Sequence, residues 1–463
     1  MERNTDYKTE QINGFRELFC RIRTFGNRTA FFCNGISHTY EDFCEDVEKA
    51  MRVFFSSEKF VLLNIRDKYF FSVAYFATVL SGNIACLQAF SEKRLSCFER
   101  FDFVYEWDDA RVRTVLSQAD SSEAVFRENK SFSTVLCSSG TTAAPKAVAL
   151  SEKNIFSVLN AGTEQYRFEE GGVYVNILPY THAFGLVVDL LAPLYSASTI
   201  YLTSDIVSFF VHIASVHPTA LNITPELTEA ILLRIESAGD KERVVGSRLR
   251  KILSGGAGTP FALCQGMARF GIGVYGCYGL SECAPCVSVN RDGHNKFGSA
   301  GTPLSCNTVS VDPSGVITVK GSNIMMGYLD LCGRLLDMPR GEYRTGDVGY
   351  IDEDGFLFVQ GRSDDLIVFP DGNKLTPWSV ESELNGLDGV KESAVYMRDG
   401  ALAATIVVAD TNHAATVATA VRKRVFHGYK IMKLDITTEP LARNALGKWN
   451  RRFYERQNHC ADP

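Results

Sequence analysis

Apolar and polar positions follow two rhythms along this chain. Phe60-Val61-Leu62-Leu63-Asn64-Ile65 is a short continuous apolar run, the pattern of a buried strand. Residues 69–91 carry no charge, yet Ser72, Ser81, Gly82, Asn83 and Gln88 interrupt them, and Gly82-Asn83 marks a turn. The pattern predicts a buried helix, a turn and a strand at Ile84–Leu87, and not a membrane span. Alternating strand and helix up to about residue 130 predict βαβ units in a parallel sheet covered on both faces. Further on, 173–178 is another apolar run, and 186–194 is a long apolar segment with Asp189 inside it. Near the end, 394–397 and 403–409 have strand texture and 415–426 has helical spacing, which predicts a small α+β unit.

The rest of the chain is organised around Ser138-Ser139-Gly140-Thr141-Thr142-Ala143-Ala144-Pro145-Lys146. Val135-Leu136-Cys137 leads into it as a buried strand, and Val148-Ala149-Leu150 follows it. Ser151 then stands where a helix N-cap belongs, before Ile155, Val158 and Leu159. Gly140 permits a tight turn, so successive N–H groups can form an anion nest. Four hydroxyls add donors and Lys146 adds a point charge. The loop lacks the Walker A pattern, but its groups suit the β- and γ-phosphates of a nucleotide.

At 463 residues the chain is long enough for two or more domains. A content of 45% hydrophobic and 22% charged residues is that of a soluble globular protein, and a net charge of −6 argues against a nucleic-acid partner. The thirteen cysteines have no framework spacing, and the N-terminus has no signal-peptide pattern. Reduced thiols and a cytoplasmic location are therefore expected. Cys283-x-x-Cys286 has no second pair for a metal, so both residues read as small apolar groups near a pocket.

Four more segments hold chemistry. In Leu178-Pro179-Tyr180-Thr181-His182-Ala183-Phe184-Gly185-Leu186 a lone histidine lies in apolar surroundings, which by itself suggests a packed side chain. Ile252-Leu253-Ser254-Gly255-Gly256-Ala257 pairs glycines after a strand, letting a flat ligand approach the backbone. Tyr278-Gly279-Leu280-Ser281-Glu282 offers an aromatic face, a hydroxyl and a carboxylate able to hold Mg²⁺. Tyr343-Arg344-Thr345-Gly346-Asp347 places a carboxylate at an expected strand edge, where it can accept from two ribose hydroxyls.

In this order these segments resemble the adenylate-forming (ANL) superfamily of acyl- and aryl-CoA synthetases, adenylation domains and beetle luciferases. The loop is similar to T-S-G-T-T-G-x-P-K-G, and the His182 segment resembles the family's histidine gate. Tyr278–Glu282 matches Y-G-x-[ST]-E unbroken, and Tyr343–Asp347 matches Y-R-T-G-D unbroken. Gly327-Tyr328 fits a G-Y-L element. Gly361-Arg362-Ser363-Asp364-Asp365 resembles the G-R-x-D-D hinge, and Arg443-Asn444-Ala445-Leu446-Gly447-Lys448 resembles P-R-N-x-x-G-K. The chain departs at Ala143 and Ala147, where glycine is usual, and at Ala442, where proline is. Alanine at position 143 would be strained if that position needs a positive φ.

The resemblance implies an α/β fold: a large N-terminal domain, 1–363, of layered sheets and helices, and a small mobile α+β lobe, 364–463, hinged at Asp364. It implies attack of a carboxylate on the α-phosphorus of ATP, giving acyl-adenylate and pyrophosphate, then thioester formation on coenzyme A or a carrier-protein phosphopantetheine. Ser138, Ser139, Gly140, Thr141, Thr142 and Lys146 would hold phosphates, and Thr142 and Glu282 would hold Mg²⁺. Tyr278 would stack on adenine opposite Gly255, Gly256 and Ala257, with Gly279 and Ser281 beside them. Asp347 and Arg362 would hold the ribose, His182 would face the acid pocket or the α-phosphate, and Lys448 would bridge carboxylate and phosphate. The absence of an acid beside His182 favours a fatty or aromatic substrate. The alternatives are a stand-alone amino-acid-activating enzyme, or a catalytically silent relative that binds nucleotide or acid as a partner domain. The chain ends soon after Lys448, so any carrier protein is expected to be a separate chain.

Overall fold

A computed structural model of the chain describes residues 11–33, 35–118, 122–138, 145–336, 341–369, 372–442 and 454. The chain divides into two compact units. One comprises Met1–Ser310, Thr318–Arg344 and Ile351–Phe358; the other comprises Val311–Ile317, Thr345–Tyr350 and Val359–Pro463.

The first unit is built on two large sheets. In the six-stranded one, Phe103–Trp107, Phe60–Leu63, Ile84–Leu87 and Thr134–Ser138 run parallel. Lys146–Leu150 then returns antiparallel, and Gly327–Leu329 forms the edge. The uncharged stretch after residue 68 is the helix Lys68–Leu80, in which all but Lys68 and Phe70 are buried. A helix buried on every side needs no polar face, which is why the sequence shows no amphipathic period there. Asp67 caps its start by accepting from the Phe70 N–H at 3.0 Å. Its polar interruptions are satisfied within the helix: Ser72 donates to the Lys68 carbonyl and Thr78 to that of Ala74. Phe15 packs edge-on against Tyr75, Phe76 and Phe156. Each such buried side chain contributes about 1.5–3 kcal/mol of apolar burial. Among the described residues no helix is long and apolar enough to cross a membrane.

The second sheet has nine strands. At its centre Thr199–Leu202, Val173–Asn176, Ala220–Ile223, Lys251–Ser254 and Gly273–Gly279 run parallel. Cys286–Val289 then packs antiparallel on Gly273–Gly279. Between the sheets' strands the helix Glu152–Tyr166 starts at Ser151, as its sequence signals. The Ser151 hydroxyl accepts from the Asn154 N–H at 3.2 Å, while Asn154 Oδ1 accepts from the Ser151 N–H at 2.9 Å.

In the second unit Val390–Arg398 and Ala401–Val408 form a hairpin, and Lys433–Thr437 adds a parallel third strand. Asp399 and Gly400, both at positive φ, make its two-residue turn. Helices Pro377–Asn385 and Ala414–Arg422 cover this sheet with Val380, Leu384, Val417 and Val421. The expected helix over 415–426 ends earlier, at Arg422. Phe426 still joins the core, but the chain reverses there at His427 and Gly428, both at positive φ, and Phe426 exchanges backbone bonds with Tyr429.

Candidate active site

The hydroxyl-rich loop is anchored by a hairpin. Thr134–Ser138 leads into it and Lys146–Leu150 returns, which sets Ser138 directly opposite Lys146. Ser139, Gly140, Thr141, Thr142 and Ala143 lie outside the described residues. Ala147 is a buried strand residue paired with Cys137 on one side and Leu329 on the other, so its extended backbone takes alanine without strain.

Beside this hairpin, the edge strand Gly327–Leu329 carries Tyr328. Its ring centre lies 4.8 Å from Lys146 Nζ. Its hydroxyl donates to Glu282 Oε1 at 2.8 Å and lies 2.9 Å from the Tyr343 hydroxyl. A phenol has one proton, so Tyr343 must donate to Tyr328 in that pair. Burial, and after it the Glu282 charge, push the Tyr328 hydroxyl above the usual tyrosine range and keep it a donor. Four segments of the chain thus bring a cation, a carboxylate and a second phenol to the Tyr328 side chain. The sequence marked Lys146 and Glu282 separately; Tyr328, which joins them, had only its G-Y-L context as a signal.

Glu282 is buried in the turn Ser281–Cys283, just after the strand Gly273–Gly279. Gly279 is needed there, because a Cβ would fall 1.7 Å from the Pro285 carbonyl oxygen. Asn323 fastens the turn by donating to the carbonyls of Cys283 at 3.2 Å and Cys286 at 3.1 Å. This positioning residue had no signal of its own beyond opening the G-Y-L segment. Cys283 and Cys286 are both buried. Among the described residues no group of three or more His, Cys, Asp or Glu could hold a metal. The carboxylate of Glu282 fits Mg²⁺ of the kind that keeps its waters and binds mainly through nucleotide phosphates.

Strands Lys251–Ser254 and Gly273–Gly279 are parallel neighbours, with Ser254 opposite Gly276. Gly255, Gly256 and Ala257 therefore leave the sheet next to Tyr278, at the carboxyl ends where such folds bind ligands. Gly256 and Ala257 are exposed and Tyr278 is half-buried. At Gly255 a Cβ would lie 2.8 Å from Cys277 Sγ and 2.9 Å from Phe184 Cζ, so these two side chains close in behind the turn. Neither carries a signal of its own in the sequence.

His182 is exposed at the start of the helix Ala183–Leu186, contrary to the packed histidine that its apolar surroundings suggest. A π-helical turn, Val187–Leu191, follows. Inside it Asp189 faces neither pocket nor solvent. It is fully buried and accepts from the side-chain amides of Asn176 and Asn222, the latter at 3.2 Å. Lys68 donates to Asn176 Oδ1 at 2.5 Å. Burial pushes the Asp189 carboxyl up and the Lys68 amine down, each partly countered by the other's charge.

In the second unit Asp347 and Arg362 are brought together: Arg362 Nη1 donates to Asp347 Oδ1 at 2.9 Å and to the Thr345 carbonyl at 3.2 Å. Asp347 is buried inside the ten-residue strand Glu342–Ile351, not at a strand edge. The Thr345 hydroxyl accepts from its N–H at 3.0 Å. Asp364 is exposed in the turn Ser363–Asp365. Lys448, with the rest of 443–450, lies outside the described residues. Ala442 just before them donates its N–H to the Tyr454 hydroxyl at 2.8 Å.

A family model for AMP-binding enzyme matches residues 95–329, just over half of the chain. The chain belongs to the AMP-binding enzyme family. Of its relatives in this family, 2-succinylbenzoate–CoA ligase of Listeria monocytogenes (serotype 4b, strain F2365) is 26% identical over 464 residues, covering 93% of this chain and 97% of that one. The o-succinylbenzoate CoA synthetase of Bacillus subtilis, solved with its acyl-adenylate intermediate, superimposes with a TM-score of 0.78 at 22% identity, covering 95% and 97% of the two chains. ATP-bound MatB from Rhodopseudomonas palustris gives 0.81 at 21% identity, covering 95% and 98%. The AMP-binding enzyme fold is thus shared almost end to end, and both the adenylate-forming resemblance and the expected α/β class are borne out.

Proposed function

We propose that this protein joins a carboxylic acid to coenzyme A through an acyl-adenylate. The acid attacks the α-phosphorus of ATP and pyrophosphate leaves; the thiol then attacks the acyl carbon and AMP leaves. Both anions repel each other, so the protein's work is charge neutralisation and alignment. The cluster around Tyr328 is the observation that carries this reading. It puts Lys146, at the mouth of the phosphate loop, and Glu282, a carboxylate suited to Mg²⁺, on one side chain.

On this reading Ser138, Ser139, Gly140, Thr141, Thr142 and Lys146 take the phosphates, and Thr142 and Glu282 take Mg²⁺. Tyr278, Gly279, Ser281, Gly255, Gly256 and Ala257 take adenine, Asp347 and Arg362 the ribose, and His182 the acid end. Lys448 supplies a second cation from a small lobe, 364–463, which turns about Asp364 between the two steps. An aromatic acid is favoured, because two of the three proteins named above, the Listeria monocytogenes ligase and the Bacillus subtilis synthetase, are named for succinylbenzoate. Amino acids are disfavoured: Asp189, the nearest acid after His182, is spent on Asn176 and Asn222. Coenzyme A is the acceptor the relatives' names support, with a separate carrier protein as the second choice. No disulfide joins the cysteines among the described residues, which supports a reducing compartment, the cytoplasm.

Exchange of labelled pyrophosphate into ATP tests the reading. With Mg²⁺ and an acid panel that includes 2-succinylbenzoate and simple benzoates, at least one aromatic acid drives exchange. Silence across the whole panel would favour a binding relative without catalysis. Lys448→Ala is expected to abolish exchange while preformed acyl-adenylate still reaches the thiol; equal loss of both steps contradicts a lysine used in one step only.

A further inference from the structure

The helix Ile206–Val216 contains no Asp, Glu, Lys or Arg, and it is apolar on two faces. Phe209 and Ile213 join the core packed on the nine-stranded sheet, with Val175, Leu221 and Ile252. Val207, Phe210, Val211 and Ala214 stand at the i, i+3, i+4, i+7 spacing of a second stripe, and none of the four is buried. Val207 is 70% exposed and Val211 65%. The Arg234 guanidinium, on the helix Pro225–Ala238, lies 3.7 Å from the centre of the Phe210 ring and gives the stripe a cationic rim. A single exposed valine is ordinary. Four apolar positions in line along an uncharged helix form a seam that fits a second helix.

The ends of the helix select the partner. Asp205 caps the start, accepting from the Ser208 N–H at 2.8 Å, and His217 closes the end at positive φ. Both residues are exposed. The Ser247 N–H donates to His217 Nδ1 at 3.2 Å, so the neutral ring carries its proton on Nε2 and can donate from there. Val211 is midway in sequence between Asp205 and His217. A two-fold axis at Val211 therefore sets residue 205 of one copy against residue 217 of the other. Antiparallel pairing gives each Asp205 carboxylate a histidine donor, opposes the two helix dipoles, and brings no like charges together along the seam.

We propose that this face is where two copies of the chain associate, with their Ile206–Val216 helices packed antiparallel across Val211. One helix stripe is small beside the roughly 800 Å² per partner of a standard interface, so the association is weak and reversible. It stands or falls independently of the adenylation reading.

Sedimentation velocity of the full chain from about 1 to 100 μM tests the proposal. Wild type is expected to pass from monomer to dimer within that range. Val211→Glu sets two carboxylates face to face at the axis and should raise Kd about a hundredfold or more, while Tm stays within a few degrees because the side chain is exposed. Asp205→Asn keeps the helix cap and should raise Kd about three- to tenfold. A wild type still monomeric at the highest concentration overturns the proposal; if it then sediments with phosphatidylglycerol vesicles, the stripe serves a membrane surface instead. A dimer that Val211→Glu leaves intact uses another face and equally overturns it. A dimer lost in Val211→Glu but unmoved by Asp205→Asn contradicts the antiparallel arrangement.

Discussion

Two buried carboxylates in the first unit do different jobs, and their partners tell them apart. Asp189 is sealed among Asn176, Asn222 and Lys68, each of which is itself held by sheet or helix. Glu282 receives one hydroxyl, from Tyr328, whose ring also borders the exposed Lys146. The first set closes on itself and ties the π-turn that follows His182 to the sheet. The second ends on a cation at the mouth of a loop rich in hydroxyls. Burial alone does not mark a working carboxylate; what matters is whether its neighbours leave room for something from outside.

Substitutions can break this contrast, and the largest effect belongs to the sealed site. Asp189→Leu leaves the Lys68 amine buried without its counter-charge and should cost about 3–5 kcal/mol, read by chemical denaturation. A loss under about 1 kcal/mol would mean that the pair is not the anchor described. At the open site the expected effect is on activity. Glu282→Gln still accepts from Tyr328, so stability should hold, but acid-dependent exchange should fall about a hundredfold or more, roughly 2.7 kcal/mol in the barrier. Tyr328→Phe keeps the ring under Lys146 and removes only the hydroxyl; about a tenfold loss is expected, with the Mg²⁺ requirement shifted to higher concentration. Parallel titrations of the two variants separate holding the metal from orienting its ligand.

A smaller effect sharpens the same contrast through pH. Asp189 has its folded-state pKa raised by burial, so its contribution to stability is full below the ordinary carboxylate range. That contribution is lost as pH rises through the raised value. The stability of wild type relative to Asp189→Asn should therefore decline as pH rises out of the ordinary carboxylate range, and a pH-independent difference would contradict the assignment. Ser151→Ala touches neither site. It should cost about 1 kcal/mol through the lost cap, a baseline for changes that reach the helix Glu152–Tyr166 without chemistry.

The sequence announced whatever its local grammar could carry. Ser151 before an apolar-periodic run, Gly82-Asn83 between two apolar runs, and the unbroken Tyr278–Glu282 segment each depend on neighbours a few positions away. What it concealed depends on distance in the chain. Nothing near Tyr328 says that it will meet both Glu282 and Lys146, and nothing near Asp189 names Asn222. The strand-edge expectation for Asp347 failed because pairing along Glu342–Ile351 continues well past the motif. The helix expected to reach residue 426 stops early because His427-Gly428 turns Phe426 into the core, which preserves the apolar pattern without preserving the helix. Phe184 and Cys277 have no local signal for a similar reason: only the approach of Gly255 makes them neighbours.

The account depends most on Glu282 serving a metal-bound nucleotide next to Lys146. Acid-dependent pyrophosphate exchange, measured side by side for wild type and Glu282→Gln across a Mg²⁺ titration, tests it most directly. The account predicts exchange in wild type with an aromatic acid, and in the variant a deep loss that extra Mg²⁺ only partly restores while Tm stays within a few degrees. Equal exchange in both proteins at every Mg²⁺ concentration would contradict it.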